Sequence, residues 1–285
     1  MGIQSSIPTL ERNGAVWLAG EASGDFIASL VIPEVARRMQ GAPQYGTDPY
    51  QTQYQQPPVA TGGVMTLDDV LAKTAITLGV VALAAAATFL YLPMQFLYPA
   101  LIGSALVGLV TVFFVAAKSR VPVGGVLFYA AIEGVFVGAI SKFFELMYPG
   151  IVVTAVLATF VTAGMTLAAY KFFNIRVTPK FRKMVFIGTA SIAALFLVNF
   201  VLALFNIDTG LRGSGANAGL LAIGISILAV ILAVMNLVVD FDSVERGIAA
   251  QAPASESWRA AFGITVTMVW LYVEILRILS YFRSN

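Results

Sequence analysis

The 285-residue chain contains no cysteine and no histidine. Those absences exclude disulfides, zinc and iron–sulfur sites built on thiolates, histidine-ligated haem and any histidine proton shuttle. A response to pH must therefore rest on carboxylates. Charge is scarce as well: Asp, Glu, Lys and Arg supply 11% of the residues, against 59% that are hydrophobic. The net charge of +2 gives nucleic acid no general attraction to the chain. Hydrolase signatures are missing too. There is no His-Glu-x-x-His, no Gly-x-Ser-x-Gly, no Gly-x-Gly-Asp partner for an aspartyl protease site, no phosphate-cradling glycine loop and no EF-hand loop. These gaps point away from an enzyme, and no cofactor is expected.

What the chain has instead is apolar length. A mean hydropathy of +0.85 exceeds what a soluble domain of this size needs. A helix crosses ~30 Å of hydrocarbon with roughly 20 apolar residues. Seven stretches meet that requirement: 71–92, 94–117, 122–147, 151–170, 184–206, 217–241 and 258–282. None shows the strict alternation of a barrel strand, so all are expected to be helices. The fold class is an all-α, polytopic seven-helix bundle, with residues 65–285 as one membrane domain. Pro99 falls inside the second stretch and is expected to kink it. Gly103 with Gly108, Gly134 with Gly138, and Gly219 with Gly224 offer small-residue spacings suited to tight crossings.

Residues 1–64 read as an N-terminal tail. Its second half is rich in Gln, Tyr, Pro, Gly and Thr and reads as disordered. Phe26–Met39 carries apolar residues at helical spacing but is too short to span. Gly20-Glu21-Ala22-Ser23-Gly24-Asp25 resembles the opening loop of lipid A disaccharide synthases, with nothing of a glycosyltransferase domain after it. Met1-Gly2-Ile3-Gln4-Ser5-Ser6 fits the loose N-myristoylation pattern, which is often matched by chance.

Lys and Arg in short flanking loops set membrane orientation. Ten fall on the side of the N-terminus (Lys73, Lys118, Arg120, Lys171, Arg176, Lys180, Arg182, Lys183, Arg246 and Arg259) and four opposite (Lys142, Arg212, Arg277 and Arg283). The N-terminus is thus expected in the cytoplasm and the C-terminus outside, as an integral protein of the plasma (inner) membrane.

Carboxylates within the apolar stretches carry the functional signal, because an ionised side chain at mid-bilayer costs roughly 2.5–3.5 kcal/mol on insertion scales and so marks a pathway. Glu133 lies near mid-membrane, ~16 Å into the third span. The bland alternative is a protonated carboxyl bonded to nearby backbone. Glu274 lies in the outer half of the seventh span with Arg277 three residues on, an arrangement that a local ion pair also explains. Asp240 and Asp242 stand at the exit of the sixth span. If the helix continues through them they face directions about 200° apart; otherwise both merely end the helix at the interface. Functional acids at these depths would form a cation path, and carboxylate oxygens suit hard cations such as calcium, or protons.

Three segments carry a family resemblance: Leu127-Phe128-Tyr129-Ala130-Ala131-Ile132-Glu133-Gly134-Val135-Phe136-Val137-Gly138, Phe241-Asp242-Ser243 and Leu276-Arg277-Ile278-Leu279. Together they resemble the Bax inhibitor-1-like family, in particular its bacterial YccA-like branch, over about Met65 to Phe282. The resemblance implies seven helices with the last near the centre, and a pH-sensitive calcium leak governed by acids on the sixth and seventh helices. By it Asp242 matches the sixth-helix acid, while Thr267 stands where the seventh helix usually has its own. Glu274, within about 20° of the same face but ~10.5 Å farther along, is a displaced substitute. Some YccA-like members modulate a membrane-bound protease, which makes a regulatory role the alternative. The basic stretch Lys171 to Lys183 would then dock the partner.

Overall fold

The computed structural model describes residues 63–118, 121–173, 175–205, 207, 209–210 and 219–283. The features read in the tail before Gly63, and the loop residues Arg120, Arg212 and Asn217, lie outside them. Among the described residues the chain forms seven long helices: α1 (Leu67–Tyr91), α2 (Leu97–Ala116), α3 (Val123–Met147), α4 (Ile151–Phe172), α5 (Pro179–Leu204), α6 (Leu220–Ala249) and α7 (Glu256–Phe282). All seven are long and apolar enough to cross a membrane, and the chain is an integral membrane protein.

Two helix starts, those of α1 and α5, follow capping chemistry rather than hydropathy. The Thr66 hydroxyl accepts from the Asp69 amide at 3.2 Å, with Asp68 and Asp69 in the first turn of α1, where acids complement the helix dipole. The Thr178 hydroxyl caps α5 through the Phe181 amide, and Pro179 takes the first position, where a missing N–H costs nothing. So α5 begins five residues before its apolar run. Gly150 turns the chain between α3 and α4 at φ +79°, a conformation that suits glycine. The Glu145 carboxylate accepts from the amides of Gly150 and Val152 at 2.5 and 3.1 Å. Pro99 is the third residue of α2, preceded by a 3₁₀ turn at Met94–Phe96. At that position its absent N–H is one the helix leaves unpaired anyway, so the expected interior kink is a helix start instead.

Where chain ends and loops meet, the helices fall into one arrangement with a proximal end, where α1 begins and α6 ends, and a distal end, where α7 finishes. At the proximal end the Met65 amide donates to Ala252 O at 2.7 Å and Lys73 to Ala254 O at 3.0 Å. At the distal end Lys142 donates to Leu92 O at 2.7 Å, and Arg283 to Pro149 O at 2.5 Å.

The seventh helix is the axis of the bundle. Of its most apolar window 72% is buried, against at most 39% for any other helix. Leu271, Tyr272, Val273, Ile275 and Leu276 form the core with Ala130, Phe144, Ile151 and Ala233 from its neighbours. The tightest approach is between α1 and α3. A Cβ at Gly134 would stand 2.6 Å from both Val81 O and Ala84 Cβ, and one at Gly138 would collide with Ala85 O. Gly103, Gly219 and Gly224, by contrast, have nothing within contact distance of a Cβ, so of the three expected pairs only the α3 pair is close at both glycines, and of the first pair Gly108 alone stands against a neighbouring helix.

Candidate functional site

Helix α6 does not end at the acids. It runs on to Ala249 because Val244 is buried and Ile248 packs beside it, which keeps an apolar stripe past the last membrane-like residue. With the helix intact, Asp240 and Asp242 diverge by about 200°. Asp240 turns toward α7 and accepts from the Thr267 hydroxyl at 2.7 Å; a Cβ on Gly263 would lie 3.5 Å from its Oδ1. Asp242 turns toward α5. It accepts from Arg182 at 2.7 Å and pairs with Arg246 one turn along its own helix. The acid opposite Thr267 is therefore Asp240 and not Asp242, which is committed to two guanidinium groups.

Glu133, the eleventh residue of α3, is half-buried and faces a cavity of about 430 Å³ between α2, α3, α5 and α7. Tyr129, one turn earlier on the same face of α3, lines the same cavity. Gly108 on α2 makes room for it: a Cβ there would sit 3.1 Å from Glu133 Oε2. Glu274 lines the same cavity. Its carboxylate is 1% exposed and lies 3.8 Å from Arg277 Nε, so the local ion pair exists, yet it stands inside the bundle and on the cavity wall. Taking one member from a buried pair strands the other charge, at about 3–5 kcal/mol. The indole N–H of Trp270, on the same wall, is buried without an acceptor among the described residues.

Asp240 faces a second cavity, of about 390 Å³, toward the proximal end, which Ser243, Glu256, Arg259 and Met65 also line. Thus Asp240 lines the proximal cavity and is bonded to Thr267, while Glu133 and Glu274 line the distal one, with Arg277 beside Glu274; Thr267, Arg277 and Asp242 line neither.

The family model described as Bax inhibitor 1 like matches residues 33–284. The chain belongs to the Bax inhibitor 1 like family. No curated protein matches the chain. A Bax inhibitor 1 like bundle of seven helices around a central seventh is what the coordinates hold, and the match does not separate a bacterial branch from the rest of the family. Within this member, reasoning from sequence missed three residues that shape the site. Tyr129 and Gly108 are set around Glu133, and Phe262 sits between the cavities. For Tyr129 the signal was there, four residues before a membrane acid and thus on its face. Nothing local marked Gly108 or Phe262, whose roles arise from other helices.

Proposed function

We propose that the chain is a leak pathway for cations, calcium among them, whose conduction responds to pH through carboxylates inside the bundle. The observation that carries this reading is the pair of carboxylate-lined cavities stacked along α7, one holding Asp240 and the other Glu133 and Glu274. A hard cation exchanges water for carboxylate and hydroxyl oxygens at such sites. Several sites of moderate strength let it enter and leave, which one tight site does not. Calcium is cargo here and not a resident cofactor, and we assign the chain no catalytic reaction. The excess of Lys and Arg at the proximal end supports a cytoplasmic N-terminus and an external C-terminus in a plasma membrane.

Purified protein in calcium-loaded liposomes provides the test. The wild type releases calcium with a rate that varies across a pH series, and Glu133→Gln lowers the rate by at least about tenfold, the effect of ~1.4 kcal/mol on the barrier. Release no faster than from empty liposomes contradicts the reading.

The second reading is a modulator of a membrane-bound protease. It draws on Lys171, Arg176, Lys180 and Lys183, all exposed around the α4–α5 loop. Protease capture that depends on this loop, together with no flux from the purified protein, favours it.

A further inference from the structure

The two cavities share no lining residue. Tyr129 stands on the wall of the distal one and Phe262 on the wall of the proximal one, and their rings meet edge to face with centroids 5.0 Å apart. Both rings are nearly inaccessible, at 4% and 6% exposure. Behind them Val115, Val121 and Val126 complete a buried apolar cluster against which Val266 packs. This layer is apolar but for the Tyr129 hydroxyl and lies between two carboxylate-bearing spaces, so an ion that crosses it as built would shed its water with a single hydroxyl to replace it.

We propose that the Tyr129–Phe262 pair is the closed gate between the two cavities. The inference rests on the conduction reading and adds where the route is shut. An aromatic pair suits this work because edge-to-face contact contributes about 0.5–1.5 kcal/mol beyond burial, enough to hold one rotamer and small enough to be released. Gate and carboxylates are mechanically joined. The Asp240 carboxylate lies over Gly263, the neighbour of Phe262, and is bonded to Thr267 one turn farther along α7. Tyr129 in turn stands one turn from Glu133 on the same face of α3, on the wall of the same cavity. An ion or proton that changes either carboxylate acts on one ring of the pair, and separating α6 from α7 moves Phe262 away from α3. The gate is thus gripped from both cavities.

The absence of native cysteine makes a direct test possible. Val273 is buried and lines the distal cavity, so Val273→Cys reports on access to that space. A charged, membrane-impermeant thiol reagent applied from the proximal face of sealed membranes leaves this cysteine unmodified in the otherwise wild-type chain. Adding Phe262→Ala speeds its modification by at least about tenfold, and Phe262→Leu, which keeps most of the apolar contact should the alanine variant fold poorly, gives an intermediate rate. Modification as slow in both double variants as in Val273→Cys alone, with folding verified by melting in detergent, overturns the gate. Calcium release is read on the same variants without the cysteine. Opened access with raised release supports gate and conduction together, whereas opened access without release overturns the conduction reading and leaves the barrier in place.

Discussion

Two residues of α-helix turn a side chain through about 200°, and that rotation decides what the neighbouring acids of α6 do. Asp242 is held by Arg182 and Arg246 at the margin of the bundle, where it joins α5 to α6. Asp240 faces inward and has a hydroxyl where a second carboxyl would make a pair. A single acid titrates in one step, but two acids within sharing distance titrate in two macroscopic steps. Thr267→Asp is therefore expected to add a step to the pH profile of calcium release, read in the same liposomes across a pH series. A profile unchanged in shape would mean that Asp240 and residue 267 do not govern release. The assignment of Asp242 as the facing acid was a matter of register. The motif Phe241-Asp242-Ser243 carries the resemblance, but the direction of a side chain depends on whether the helix continues, and hydropathy falls off at that point while the helix does not.

At the scale of elements, hydropathy located all seven helices because a span must bury its backbone polar groups within itself. It misplaced their ends by up to eight residues, at α6, because capping and amphipathic packing operate beyond the lipid. Thr178 with Pro179 starts α5 early, and Val244 with Ile248 carries α6 on. Small-residue spacing was legible only as a set of candidates, since nothing in Gly219 or Gly224 says that no neighbour approaches, whereas Gly134 and Gly138 lie against the backbone of α1. Gly138→Val is accordingly expected to destabilise the fold by about 1–3 kcal/mol through overpacking, seen as a lower melting temperature of the purified protein in detergent. Gly224→Val, with open space around it, is expected to stay within about 0.5 kcal/mol of wild type. Equal melting of the two variants would mean that the α1–α3 contact is not the close one described.

For the whole molecule, the decisive feature is that the one helix carrying Thr267, Glu274 and Arg277 is also the one enclosed by the others. Its charges therefore face protein and not lipid, which makes an ion pair such as Glu274 with Arg277 tolerable at that depth. Outward faces of the six surrounding helices, rich in Phe, Leu and Val, meet the bilayer, and the carboxylates of α3, α6 and α7 meet two spaces divided by one aromatic pair. This division was invisible in sequence because Tyr129 and Phe262 are 133 positions apart and neither is unusual for a membrane helix. The most direct measurement is calcium release from liposomes containing Asp240→Asn beside liposomes containing Asp242→Asn at matched protein density. Asp240→Asn is expected to slow release by at least about tenfold, and Asp242→Asn to leave it within about twofold of wild type. Release lost in Asp242→Asn and kept in Asp240→Asn would contradict the route along α7.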